Sequence, residues 1–250
     1  GVEALDLQVT AEPVTIQGML FAVLTLVDIS HAKRRQQLER IFFHDVINTA
    51  GGVLGIGEAL VATLPEAGEE VAELGQLLLA GGQQLLEEIR AQRDLAAAES
   101  GDLAVAPQPT DLGQVVGAVA ETYRHHPVGA ERALAVSAGP PVTLATDATL
   151  LGRVVGNLVK NALEAVGVGQ TVRLGWTVAD AEATVTVWNP GVVAPSVRDL
   201  LFRRAVSTKG TGRGQGTYSV RLLTERYLGG RVTWDSTPEA GTTVRVHLPA

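Results

Sequence analysis

The chain has 250 residues, 46% of them apolar and 19% charged, which is enough apolar material for one large domain or two modest ones, and two are expected. A formal net charge of −7 supplies no basic stripe to displace counterions from a phosphate backbone, so nucleic acid is not expected as a partner. The absence of cysteine excludes disulfides, thiolate metal sites and cysteine nucleophiles, and suits a reducing cytoplasm.

Residues 5–29 alternate as strands do: two β-rich runs flank a Pro-containing stretch and Gly18. Two strands alone are marginal in water, so residues 1–30 are expected to be the remnant of a larger domain. Within them, Gly18 to Val27 is the longest apolar run, about half of the roughly 20 residues that span a bilayer. Neither a membrane segment nor a signal peptide is expected. Residues 31–43, opening "HAKRRQQLER", predict a charged connecting helix capped by Asp28 or Ser30.

From Leu38 to about Leu64 a helical period holds, with Phe42, Val46, Val53, Leu60 and Leu64 on one stripe when each residue advances about 100°. His44, Asn48, Gly51, Gly55 and Glu58 fall on the opposite stripe, so the histidine of "HDVIN" faces away from the packing side. Pro65 breaks this helix. A second, from about Glu69 to Ala98, carries Val71, Leu74, Leu78, Leu85, Ile89 and Gln92 near heptad spacing. Residues 38–100 therefore predict an antiparallel helical hairpin that cannot bury its own seam, and dimerisation into a four-helix bundle completes it.

"ESGDLAVAPQP", 99–109, is the linker. Residues 108–250 then predict a mixed α/β domain with a mixed sheet covered on one face by helices. A helix over 110–128 precedes strands in "LAVSAG" and "PVTLAT". Asp147 caps a helix running to about Val166, and strands follow in "TVRLGWTVAD" and "EATVTVWNPG". A Gly-rich loop over 210–217, a helix to about Tyr227 and two closing strands complete the order.

Four stretches of this domain carry chemistry. "NLVKNALEA" places Asn157 and Asn161 on one helical face, with Lys160 off it. "WNPG", 188–191, ends a strand in a turn. "FRRAVSTKGTGRGQGTYS" alternates Gly210, Gly212, Gly214 and Gly216 just before a helix, where backbone N–H groups and the helix dipole favour an anion. "GTTVRVHLP" leads a turn into the last strand.

In this order the four stretches resemble the characteristic boxes of the sensor histidine kinase ATPase domain, an α/β sandwich of the GHKL fold shared with gyrase-type and Hsp90-type ATPases. "FFHDVIN" extends the resemblance to the dimerisation and phosphoacceptor hairpin, and "LTLVDIS" resembles the exit of a PAS sensor domain. The resemblance implies a cytoplasmic homodimeric enzyme that uses ATP and Mg²⁺ to phosphorylate its own histidine. The phosphate then passes to the receiver domain of a response regulator, and hydrolysis of the phosphorylated regulator is implied as a second activity.

Position by position, it makes Asn161 the Mg²⁺ ligand and Asn157 its polar neighbour, with Lys160 near the phosphates. Thr208 and Lys209 match the end of the box before the ATP lid, and Gly212, Arg213, Gly214 and Gly216 match the lid itself. Gly191, Gly241 and Thr242 line the base pocket. His44 would attack through Nε2, Asp45 would accept from Nδ1–H, and Asn48 would orient the water that hydrolyses a phospho-aspartate.

Two departures stand out. Asn189 occupies the place of the aspartate that accepts from the adenine amino group. Its oxygen still accepts, without the charge assistance worth roughly 1 kcal/mol, while its amide could donate to a guanine oxygen instead. Gln215 stands in the lid where leucine is usual. A phosphatase-biased enzyme and a degenerate, non-catalytic scaffold therefore remain as alternatives.

Overall fold

A computed structural model describes residues 5–63, 69–198, 201–202 and 215–250. The chain divides into two compact units, 1–97 and 98–250.

The first unit opens with strands β1 (Leu7–Ile16) and β2 (Met19–Asp28), paired antiparallel with Leu7 opposite Asp28 and Ile16 opposite Met19. The turn between them has positive φ at both Gln17 (50°) and Gly18 (78°), which matches the twist of the ribbon. Pro13 lies inside β1 opposite Ala22 rather than between the strands, which a two-stranded ribbon tolerates because each strand has one unpaired edge. Every residue of both strands is exposed, Leu20 to 76%. The ribbon is tied to helix α1 (Ser30–Thr63) by polar contacts: Asp6 N–H donates to Ser30 Oγ at 2.8 Å, Lys33 Nζ to the Asp6 carboxylate at 2.8 Å, and Ser30 N–H to Asp28 Oδ1 at 2.9 Å. Asp28 thus supplies the side-chain cap.

Helix α2 (Glu69–Ser100) is the second limb of the hairpin. The seam between the limbs is built on glycine: a Cβ at Gly57 would sit 3.2 Å from Leu79 Cδ2, one at Gly82 3.1 Å from Leu54 Cδ1, and one at Gly75 2.6 Å from Val61 Cγ2. This corrects the expected packing stripe. Phe42, Val53 and Leu60 are all exposed, because the face that meets α2, running through Leu54, Gly57 and Val61, lies roughly a quarter-turn away around the helix. Val71, Leu74, Leu78 and Leu85 of α2 are likewise exposed.

Ile41–Ala62 of α1 is, by length and composition alone, long and apolar enough to cross a membrane. It carries His44, Asp45 and Glu58 within it.

In the second unit, strand β3 (Gln108–Asp111), helix α3 (Leu112–His125), a 3₁₀ turn (Pro127–Gly129), and strands β4 (Ala133–Ser137) and β5 (Thr143–Thr146) come first. Helix α4 (Ala148–Glu164), strands β6 (Thr171–Ala179) and β7 (Glu182–Asn189), and the short helix α5 (Pro195–Arg198) follow. Helix α6 (Gln215–Arg226) and strands β8 (Arg231–Thr237) and β9 (Gly241–Pro249) complete it. A five-stranded sheet runs β4-β6-β7-β9-β8, parallel between β4 and β6 and antiparallel elsewhere, while β3 pairs only with β5.

The mixed sheet was expected; β3 was not, and the linker it shortens runs only from 101 to 107. The helix expected over 110–128 is shorter because Asp111 caps it, accepting from Gln114 N–H at 3.1 Å. Asp147 caps α4 as expected, accepting from Thr149 and Leu150 N–H.

Leu151, Val154, Val155, Val159 and Leu163 of α4 are buried against Leu174, Val185 and Val246 of the sheet, and α3 and α6 flank α4. The opposite sheet face is polar. There Arg231 donates to both Glu182 oxygens at 2.9 Å, and His247 Nδ1 lies 2.9 Å from Glu182 Oε1. Burial pushes the Glu182 carboxyl up, but the bond to His247 and the charge of Arg231 outweigh it and hold the group below its ordinary range.

Candidate functional site

His44 lies midway along α1 with its side chain 71% exposed, on the side away from the seam with α2. Consecutive positions on a helix point about 100° apart, yet the short Asp45 side chain reaches back, and its Oδ1 is 3.1 Å from His44 Nδ1. An ionised carboxylate only accepts, so this contact selects the imidazole with hydrogen on Nδ1 and a lone pair on Nε2. Asn48, one turn later, brings Nδ2 to 3.2 Å from Nε2 and 3.4 Å from Nδ1, so the amide lies over the ring face and leaves the in-plane lone pair of Nε2 open. The three predicted residues form one cluster, a carboxylate against Nδ1 and an amide over the ring.

The second cluster belongs to the second unit. The i,i+4 spacing puts Asn157 and Asn161 on one face of α4, as expected, and that face turns toward α6. Asn157 Nδ2 donates to Ser219 Oγ at 3.0 Å. Asn161 has a buried Nδ2 without a partner, and its side chain makes no hydrogen bond among the described residues. A Cβ at Gly216 would lie 3.4 Å from both its amide atoms, so Gly216 roofs the asparagine closely. Gly216 stands in the first turn of α6 rather than in a loop. Lys160 is partly exposed and off the asparagine face. Thr208, Lys209, Gly212, Arg213 and Gly214 lie outside the described residues.

At the ends of β7 and β9, Asn189 pairs with Thr242 across the ladder. Asn189 is 6% exposed and its Oδ1 accepts from Gly191 N–H at 2.9 Å, closing an Asx turn over Pro190. A Cβ at Gly191 would press on Asn189 Oδ1 at 2.8 Å and Ala165 O at 3.0 Å. Gly241, at φ 74°, comes so close to the Asn189 carbonyl that no side chain fits. Thr242 Oγ1 donates to Gly191 O at 2.7 Å and meets Ser236 Oγ at 2.8 Å, and Ser236 Oγ accepts from Val193 N–H at 2.9 Å.

Asn189, Gly191, Gly241 and Thr242 are thus brought together as anticipated. Ser219 and Ser236 were missed. Each is an ordinary serine in sequence, and only the register of β8 on β9 and the packing of α6 on α4 place them.

An unpartnered asparagine amide under a glycine at a helix start, in the same unit as a polar cluster at the ends of β7 and β9, is a combination suited to a nucleotide and its metal. Residues 146–250 match the family of histidine kinase-, DNA gyrase B- and HSP90-like ATPases. The sensor histidine kinase DcuS of Escherichia coli K12 is 37% identical over 103 residues, covering 38% of this chain and 18% of DcuS. The sensor protein IrlS of Burkholderia pseudomallei K96243 is 26% identical over 254 residues, covering 98% of this chain and 53% of IrlS. Among solved structures, full-length ShkA in complex with AMPPNP superimposes with a TM-score of 0.65 at 25% identity, covering 85% of this chain and 45% of ShkA. The curated relatives are sensor proteins, DcuS among them a sensor histidine kinase, and residues 146–250 carry the ATPase fold of the GHKL type that the matched family model describes. The chain spans less than a fifth of DcuS and about half of IrlS.

Proposed function

We propose that this chain is the kinase part of a homodimeric, cytoplasmic-side sensor kinase that phosphorylates His44 from ATP and passes the phosphate to a response-regulator aspartate. The observation that carries the reading is Asn161, a carboxamide without a partner beneath Gly216. A buried donor left unmet costs roughly 1–3 kcal/mol, an expense that a phosphate oxygen accepting from Asn161 Nδ2 would remove. Asn161 Oδ1 would hold Mg²⁺, which supplies charge neutralisation at the β- and γ-phosphates. Asn157, fixed by Ser219, keeps the neighbouring turn polar, and Asn189, Gly191, Gly241 and Thr242 surround the base.

In the transfer, the lone pair on His44 Nε2 forms the N–P bond as the bond from the γ-phosphorus to the β,γ-bridging oxygen breaks and ADP leaves. Asp45 holds the proton on Nδ1 and stabilises the positive charge that develops on the ring. The Asn48 amide, over the ring face and exposed, would orient a water against a regulator's phospho-aspartate, the reverse activity. The domain boundaries follow: a PAS-like remnant over 1–30, a signalling connector over 31–43, the phosphotransfer hairpin over 38–100 and the ATP-binding domain over 108–250.

The test is incubation with γ-labelled ATP and Mg²⁺, with His44→Gln and Asn161→Ala in parallel. Acid-labile label in the parent and none in either variant is the expected result. Label that survives His44→Gln would overturn the assignment. The alternatives, a phosphatase-biased enzyme and a non-catalytic scaffold, are favoured by the uncharged Asn189. Bound nucleotide without label, together with dephosphorylation of a regulator, would support the phosphatase; no nucleotide binding and no label would support the scaffold.

A further inference from the structure

The polar groups around Asn189 end the base pocket in a hydrogen-bond donor. Asn189 Oδ1 is committed to Gly191 N–H at 2.9 Å, and this fixes which way round the carboxamide lies, since the flipped amide would set NH₂ against N–H. The free arm is therefore Nδ2, which makes no hydrogen bond among the described residues. Thr242 adds no donor. Its proton goes to Gly191 O at 2.7 Å and its oxygen receives that of Ser236, whose own oxygen is met by Val193 N–H, so the hydrogens run one way along the chain.

An adenine presents its 6-amino group as a donor, whereas a 6-oxopurine presents an oxygen acceptor at the same position. Facing Nδ2, the amino group meets a like partner and the oxo group a complementary one. A donor left facing a donor costs roughly tenfold in affinity.

We propose that Asn189 makes this a pocket for purine nucleotides in which 6-oxopurines, inosine and guanosine triphosphates, bind at least as tightly as ATP. The inference rests on the nucleotide-site reading above. An aspartate in the same place would still take the Gly191 N–H on one oxygen while turning a second acceptor to the base, and the preference would reverse.

The test is calorimetric titration of the whole chain with ATP, ITP and GTP in Mg²⁺, repeated on Asn189→Asp. ITP isolates the effect, because it differs from ATP only on the pyrimidine edge. The expected result is a Kd for ITP equal to or below that for ATP in the parent, and a shift of the ratio toward ATP by about tenfold in the variant. A Kd for ITP above that for ATP in the parent would overturn the inference, with or without a folded variant, and so would a ratio unmoved by Asn189→Asp. Binding of none of the three nucleotides would overturn it together with the nucleotide-site reading, whereas the previous two outcomes leave that reading standing.

Discussion

His44 is an ordinary exposed imidazole until its neighbours are counted, and the chemistry lies in which nitrogen they leave free. Asp45, at 3.1 Å from Nδ1, selects the tautomer and waits for the charge that phosphorylation creates. Asp45→Asn keeps an acceptor of the same shape but removes its charge and its single-minded role as acceptor, so the ring no longer has one preferred tautomer. The expected outcome is a fall of about 100-fold in the initial rate of phosphohistidine formation. Nucleotide affinity, measured in the same preparation, should not change, because Asp45 belongs to the hairpin cluster and not to the base pocket. The placement of these residues was legible in sequence, since "HDVIN" and the i,i+4 asparagines are helix-periodic and their spacing fixes a shared face. The orientation of Asn189 was not. It depends on a turn that brings Gly191 N–H onto Oδ1 and on Thr242 facing it across the ladder.

The helices of the hairpin divide their glycines into two kinds. Gly57, Gly75 and Gly82 face the partner helix and are small because Leu79, Val61 and Leu54 press on them. Gly51 and Gly52, just past the Asn48 amide, would meet nothing within 4 Å if given a Cβ, so packing does not demand them. Each costs the helix roughly 1 kcal/mol relative to alanine. Gly51→Ala with Gly52→Ala is therefore expected to stabilise the hairpin by about 1–2 kcal/mol in urea unfolding, while Gly75→Ala destabilises it by about 1–3 kcal/mol through Val61. The stiffened double variant should also shift the ratio of autophosphorylation to regulator dephosphorylation; an unchanged ratio would remove bending from the mechanism. Sequence periodicity found both helices but chose the wrong inward stripe. It ranked large apolar residues above glycine, and here the close approach of the limbs is made by glycine. Strand β3 escaped for a related reason. It is four residues long and contains Pro109, and its partner β5 lies more than 30 residues further along the chain.

Two apolar stripes, Phe42, Val53, Ile56 and Leu60 on one limb and Leu74, Leu78 and Leu85 on the other, each sit beside the glycine seam and each stay exposed, Ile56 to 71% and Leu74 to 60%. Burying one large aliphatic side chain contributes roughly 1.5–3 kcal/mol, so leaving all of these in water gives up more than the net stability of a typical domain, much of which association returns. The stripes flank one seam, which gives a second hairpin a continuous surface to cover. On α2, Val71, Leu78 and Leu85 recur every seven residues, as a coiled-coil seam requires. Ile56→Glu with Leu78→Glu would place charges in that seam on both limbs. The parent chain is expected to sediment as a dimer at micromolar concentration, and the double variant at half that mass with its ATP-binding domain still folded. A monomeric parent would mean that the stripes are covered by something other than a second copy, and the four-helix arrangement would have to be given up.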